Sequence, residues 1–274
     1  MSVPMHVSLS KHHGLGNDFL VYDMAQGDQS NWPQLAQQWC ERSTGVGADG
    51  LLLLTIVDNT KLGMRLYNAD GSIAEMSGNG IRCLVQAAHF TLKGVAGTVY
   101  EVSTDAGSRE AVVTSEWDDD TIHISVDMGY VEDLEEPHNW TSLQCDPMRP
   151  VRHVSLGNPH SVVGVEEVAA VDLAQLGSLV PHINLEIIEP GPETNAITMR
   201  VHERGSGETR SCGTGTCAVA LAATIYTRGH LPARWIIKPP GGTLIVDIDG
   251  HSNATLTGPA ELIKDYDVTS YLNV

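Results

Sequence analysis

Ser77-Gly-Asn-Gly80 and Cys212-Gly-Thr-Gly215 are one device written twice in this chain, and only the second carries a thiol. Each follows an extended segment that begins Met-Arg, Met64-Arg65 in one copy and Met199-Arg200 in the other. In both copies the methionine stands thirteen residues before the Ser or Cys. Each tetrapeptide then runs into a helix-like apolar segment, Ile81 to Phe90 and Thr216 to Tyr226. A Gly-rich turn that opens a helix leaves backbone N–H groups free to hold an anion, and it sets the preceding side chain at the positive end of the helix dipole. One such turn is an ordinary feature. Two in the same register imply a repeated functional unit.

The repeat extends outward from the tetrapeptides. Leu15-Gly-Asn17 precedes the apolar run Phe19 to Tyr22, and Leu156-Gly-Asn158 precedes Ser161 to Gly164. After each helix come two strand-like runs. These are Ala111 to Thr114 and Thr121 to Met128 around an acidic turn, Glu116 to Asp120, and Thr243 to Ile248 and Ala254 to Leu256 around Asp249-Gly250. The runs are short and alternate, as in Thr121-Ile-His-Ile-Ser-Val126, which marks half-buried antiparallel strands. The segment Ala218 to Ala223 is apolar on nearly every side, so its helix is expected at the centre of a core. A second, amphipathic helix is expected from Pro33 to Glu41 with Asn31 as its cap. The fold expected is α+β: two pseudosymmetric domains from an internal duplication, each a mostly antiparallel β-sheet wrapped around a central helix. The domains are expected at 1–118 plus a C-terminal strand, 265–274, and at 119–264, with the active site in the interdomain cleft.

Composition narrows the function classes. The chain has 274 residues, 42% of them hydrophobic, which is enough to bury a core or two. A net charge of −18 opposes nucleic acid and anionic membrane as partners, because both repel an acidic surface. No apolar run approaches a membrane span, and Met1 to Lys11 lacks a signal-peptide pattern. The five cysteines (Cys40, Cys83, Cys145, Cys212, Cys217) form neither a disulfide framework nor a zinc spacing, which points to a reducing cytoplasm. Adjacent His12 and His13 lack a third ligand, so no metal is expected. Gly45-Val-Gly47 lacks a P-loop lysine and reads as a turn before the strand Leu51 to Ile56. Cys83 and Cys217 read as structural thiols on buried helices.

The chemistry that two such turns suit is proton transfer at the α-carbon of an amino acid. That proton is weakly acidic, so an enzyme must supply a base, stabilise enolate-like charge on the carboxylate and return a proton to the opposite face. A thiol suits both roles if a helix N-terminus draws its ordinary pKa of about 8.5 towards neutrality. Ser77 and Cys212 are then expected on opposite sides of the α-carbon. The backbone of Gly78, Asn79 and Gly80 and of Gly213, Thr214 and Gly215 would hold the carboxylate. No cofactor is needed.

Seven segments carry a family resemblance: Lys11-His-His-Gly-Leu-Gly-Asn-Asp-Phe19, Tyr67-Asn-Ala-Asp-Gly-Ser72, Ser77-Gly-Asn-Gly-Ile-Arg-Cys83, Ser155-Leu-Gly-Asn-Pro-His160, His182-Ile-Asn184, Glu203-Arg-Gly205 and Gly207-Glu-Thr209 leading into Cys212. The chain resembles the diaminopimelate epimerases, of the cofactor-independent group that includes proline racemase-like enzymes. That resemblance implies an isomerase that interconverts LL- and meso-diaminopimelate by two-base proton transfer, in the cytoplasm and as a homodimer. It implies that Asn17, Asn68, Asn158, Asn184 and Arg204 bind substrate, all but Asn17 at the distal amino-acid end. His160 and Glu203 resemble the family's helpers that tune the two acid–base side chains. Where the family has a second catalytic cysteine this chain has Ser77, a far weaker acid, so impaired chemistry is expected. The alternatives are a lyase, dehydratase or racemase of another amino acid on the same scaffold, and a catalytically silent amino-acid-binding protein.

Overall fold

The computed structural model describes residues 7–74, 76–116 and 120–269. Its chain divides into two compact units, residues up to Val126 together with those from Pro259 on, and Asp127–Gly258. The sequence reading divides the chain at 118/119 and 264/265. The first of those points lies outside the described residues, as does most of the acidic turn from Glu116 to Asp120. The observed divisions fall within long strands, because strand ladders hold the chain together past each turn.

The first unit contains, in order, β1 (Ser8–Gly14), β2 (Asn17–Asp23), α1 (Trp32–Cys40), β3 (Gly50–Ile56), β4 (Lys61–Asn68), β5 (Ile73–Ala74), α2 (Gly78–Leu92), β6 (Val99–Thr104), β7 (Gly107–Glu116) and the start of β8 (Thr121–Tyr130). The second contains β9 (Glu132–Asp133), β10 (Val151–Ser155), β11 (Pro159–Gly164), α3 (Leu173–Leu179), β12 (Asn184–Pro190), β13 (Ala196–Glu203), β14 (Gly207–Thr209), α4 (Gly213–Tyr226), β15 (Ala233–Lys238), β16 (Leu244–Ile248) and the start of β17 (Asn253–Asp267). The last strand then continues into the first unit and pairs antiparallel with β1.

The duplication is visible in the pairing itself. In the first unit β1–β2, β3–β4, β4–β5, β6–β7 and β7–β8 are antiparallel, while β2–β3 and β4–β6 are parallel. In the second unit β10–β11, β12–β13, β13–β14, β15–β16 and β16–β17 are antiparallel, while β11–β12 and β13–β15 are parallel. The two patterns match strand for strand, with α2 and α4 at the same point. Register matches too, since Met64 faces Leu54 in one unit and Met199 faces Ile188 in the other.

Alternation along the strands sorts side chains to two faces of each sheet. In β3, Leu51 and Leu53 pack with Trp32, Leu35, Ala36 and Trp39 of α1, whereas Leu52 turns towards α2. In β12, Leu185 and Ile187 pack with Leu173 of α3, and Glu186 turns towards α4. Every position of α4 from Gly213 to Thr224 except Thr214 is buried, as its all-round apolarity requires. Burying a side chain such as Val219 or Leu221 contributes about 2 kcal/mol.

Local departures from the sequence reading have physical causes. Helix α1 covers the expected span and Asn31 occupies its cap position. However, the Asn31 amide bonds Gln34 rather than a backbone N–H. Helix α3 was not foreseen. It is one short stretch with a glycine inside, capped by Asp172, and its apolar side is completed by Trp140, Val163, Leu185 and Ile187 from elsewhere in the unit. Strand β17 runs far beyond Ala254–Leu256, because its later residues find a partner strand in β1. Gly45 and Gly47 form a turn as expected. A side chain at Gly45 would meet the Gln38 carbonyl of α1 at 2.2 Å.

Candidate active site

Ser77 and Cys212 are the N-caps of α2 and α4, in extended conformations that differ by under 20° in each torsion (φ −143°, ψ 123° and φ −125°, ψ 116°). The Gly80 N–H donates to Ser77 Oγ at 3.1 Å, and the Gly215 N–H donates to Cys212 Sγ at 3.4 Å. Ile81 and Thr216 donate their N–H to the Ser77 and Cys212 carbonyls. The helix amides left to bind an anion are therefore those of Gly78 and Asn79 and of Gly213 and Thr214. Ser77 is half-buried and Cys212 is 5% exposed.

In the first unit the Ser77 turn is braced by a chain of polar contacts. The buried Arg82 guanidinium donates to Asn79 Oδ1 at 2.7 Å and to the carbonyls of Gly78 and Pro259. Asn79 Nδ2 then donates to Asn17 Oδ1 at 3.1 Å, and Asn17 Nδ2 donates to Asp49 Oδ2 at 2.7 Å. Asp49 also holds Arg42, which with Lys11 grips Asp18 at 2.7 and 2.8 Å. Burial would raise the Asp18 carboxyl, but Arg42 and Lys11 outweigh it and hold it at about 2. The structure thus brings Asn17, Gly78, Asn79 and Ser77 together. Asn68 ends β4, exposed, with its Nδ2 donating to Ser72 Oγ. No hydrogen bond joins it to the Ser77 turn among the described residues.

The second unit gathers more of the predicted set. Asn158 Nδ2 donates to Thr214 Oγ1 at 3.3 Å, and Thr214 Oγ1 lies 3.5 Å from Cys212 Sγ. His160 is buried, with Nε2 3.1 Å from Asn158 Oδ1 and Nδ1 2.6 Å from Glu186 Oε1. Asn184 donates to the Pro159 carbonyl and accepts the Arg204 backbone N–H at 2.9 Å. The Arg204 side chain is exposed on the turn beyond β13, and Glu203 accepts a short hydrogen bond from Thr209.

One expectation is corrected. The helix N-terminus was expected to draw the Cys212 pKa towards neutrality, yet the thiol is held well above its ordinary value. Burial is the largest cause, followed by the charges of Glu203 and Glu186. The Thr214 and Gly215 hydrogen bonds pull the other way without winning. A dipole amide at 3.4 Å is weak against full desolvation beside two carboxylates. In this conformation Cys212 is a protonated thiol.

Sequence reasoning missed Glu186, Arg82, Asp49 and the Arg42–Asp18–Lys11 cluster. The available signal for Glu186 was a single acid inside the apolar run Leu185 to Ile188. Cys83 and Cys217 are buried, as their structural reading expects, and burial pushes Cys83 up to about 12. His12 turns inward to Gln86 and His13 outward to Glu261, so strand alternation sends the two rings apart. Among the described residues no cluster of three His, Cys, Asp or Glu could hold a metal ion, and no helix is long and apolar enough to cross a membrane.

Both the fold and the sequence of the chain have known counterparts. Among solved structures the fold is similar to a phenazine biosynthesis protein of the PhzF family from Bacillus anthracis. There the TM-score is 0.74 at 13% identity, over 96% of this chain and 99% of that one. It is also similar to a hydroxyproline epimerase from Agrobacterium vitis, with a TM-score of 0.68 at 16% identity, over 96% and 91%. In sequence the chain is 38% identical to a diaminopimelate epimerase of Synechococcus elongatus, over 93% of this chain and 96% of that protein. It is 39% identical to one of Thermosynechococcus vestitus, over 93% and 97%. The sequence model of the diaminopimelate epimerase family matches residues 9–133 and 152–263. By its motifs, its duplicated pairing and these similarities, the chain belongs to the diaminopimelate epimerase family.

Proposed function

We propose that this protein is a cofactor-independent epimerase acting on the α-carbon of diaminopimelate, with Cys212 serving one face and Ser77 standing where the other face needs a thiol. The observation that carries it is the repeated cap: two side chains of acid–base type, each at the head of a buried helix, at the same point of two matching strand patterns. Removing the α-proton moves charge onto the substrate carboxylate, where the free amides of Gly78, Asn79, Gly213 and Thr214 are suited to receive it. Asn17, Asn68, Asn158 and Asn184 supply amides that can serve an ammonium or a carboxylate, and the Arg204 guanidinium suits the distal carboxylate. His160 and Glu203 tune the acid–base side chains. Work in the cytoplasm as a homodimer belongs to the same proposal.

Ser77 sets the expected rate. A hydroxyl gives up its proton far less readily than a thiol, so transfer at its face is slow, while Cys212 acts as a base once the thiol, protonated in the resting conformation, gives up its proton. The test is α-proton exchange followed by NMR in D₂O, with LL-, meso- and DD-diaminopimelate offered separately. The protein as it stands is expected to exchange deuterium at one face with little inversion. Ser77→Cys is expected to raise epimerisation at least about 100-fold, the lower end of what general acid–base catalysis contributes. An unchanged rate in that variant would refute the assignment of position 77. Exchange with elimination would favour the lyase reading, and tight binding without any exchange would favour a silent binding protein.

A further inference from the structure

The matched registers of the two units expose one position where they differ in kind. In the first unit, Leu52 of β3 faces the opening turn of α2, 3.5 Å from where a side chain on Gly80 would lie. Leu52 pairs with Leu66, two residues after Met64. In the second unit the same register position, paired with Val201 two residues after Met199, is Glu186. Its Oε1 lies 2.5 Å from where a side chain on Gly215 would stand. Likewise Phe19 pairs with the first residue of β3, where His160 pairs with the first residue of β12. An apolar pair in one unit is a buried His–Glu pair in the other.

Such a pair is costly. Both side chains are wholly buried, and among the described residues Glu186 Oε2 has no hydrogen-bond partner. Leaving a buried acceptor unmade is destabilising, and the leucine of the sister unit shows an apolar residue suits that position of the fold. A group retained against that cost calls for a role. The contacts supply one. His160 Nδ1 faces Glu186 Oε1 at 2.6 Å and Nε2 faces Asn158 Oδ1 at 3.1 Å. Because Asn158 Oδ1 can only accept, that contact calls for a proton on Nε2, and the 2.6 Å contact calls for another between Nδ1 and Glu186 Oε1. With Nε2–H donating to Asn158 Oδ1, the Asn158 amide must present Nδ2 to Thr214 Oγ1, at 3.3 Å. Thr214 Oγ1, already accepting from Asn158, has its own O–H free to turn to Cys212 Sγ, 3.5 Å away, in a contact that either atom could donate.

We infer that Glu186 is a positioning residue: it fixes the His160 ring and, through Asn158 and Thr214, sets the hydrogen-bond direction at the Cys212 thiol and at the adjoining anion-binding turn. The inference deepens the proposed function and rests on it for the identity of the ligand. The order of donors and acceptors along the chain is its content, and that order distinguishes two substitutions. Glu186→Gln can still donate to His160 Nδ1 and keep Nε2–H on Asn158. Glu186→Leu copies the sister unit and cannot.

The experiment measures diaminopimelate affinity by calorimetry, and the protection of the His160 Nε2 proton by NMR of the protein labelled in its histidine rings. Thermal melting of each variant verifies the fold. Glu186→Leu is expected to melt no lower than the parent, to lose that protection and to bind diaminopimelate about 10-fold more weakly, the scale at which loss of an orienting partner acts. Glu186→Gln is expected to keep the protected proton and affinity within about threefold. Thr214→Val interrupts the chain at its far end. It should weaken binding comparably while leaving the His160 proton protected, which keeps the idea testable should Glu186→Leu fail to fold. Parental affinity and protection in Glu186→Leu would overturn the inference, and so would a glutamine variant as impaired as the leucine one. Should the parent protein not bind diaminopimelate at all, the functional reading falls, while the His160 proton in the three variants still decides the role of Glu186.

Discussion

Gly215→Ala tests the site most directly, because its sister position provides a control. A Cβ at Gly215 would stand 2.5 Å from Glu186 Oε1 and 3.3 Å from the Cys212 Cβ. A Cβ at Gly80 would meet Ser77 Cβ at 3.2 Å and Leu52 at an ordinary 3.5 Å. The first clash needs a shift of about 1 Å to reach normal contact, and the carboxylate that must move is held by His160. Overpacking of that kind costs about 1–3 kcal/mol, offset by up to about 1 kcal/mol gained when alanine replaces glycine in a helix. Gly215→Ala should therefore lose about 1–2 kcal/mol, while Gly80→Ala should lie within about 1 kcal/mol of the parent. The assay is urea denaturation of both variants, followed by fluorescence. A third sample, Gly215→Ala in a Glu186→Ala background, should show the penalty gone, since contacting residues couple and distant ones add. Equal stability of the two glycine variants would refute the claim that Glu186 fills the space above Gly215. A penalty that persists without Glu186 would do the same.

Two further outcomes concern pH. Asp18 is held at about 2 against an ordinary 3.8 by Arg42 and Lys11, so its folded pKa is depressed. Its contribution is present above pH 3.8 and is lost as pH falls through about 2. Unfolding free energies of the parent and Asp18→Asn, from urea denaturation, should differ by up to about 2 kcal/mol near neutrality and converge by about pH 2. Convergence already complete at pH 4 would contradict it. For Cys212, burial and then the Glu203 charge raise the thiol, so alkylation at that residue, mapped by mass spectrometry, should be slow at pH 7 and climb only beyond pH 9. Glu203→Gln should move that climb to lower pH, and an unmoved profile would remove Glu203 from the environment of the thiol.

The sequence by itself determined what is local or repeated. Ser77 and Cys212 were legible as helix caps because a cap is settled by four consecutive residues and their glycines. The duplication was legible because matched spacing survives divergence. The burial of α4 followed from its composition. Tertiary structure decided everything that needs two distant segments to meet. Helix α3 and the length of β17 depend on partners that no window of sequence contains. The direction of the Cys212 pKa was misjudged for the same reason. A helix dipole can be read from the sequence beside the thiol, whereas Glu203 and Glu186 arrive from neighbouring strands, and burial from the whole unit. Glu186 itself is one letter in an apolar run until strand register sets it above Gly215, against His160, in the position its sister unit gives to leucine.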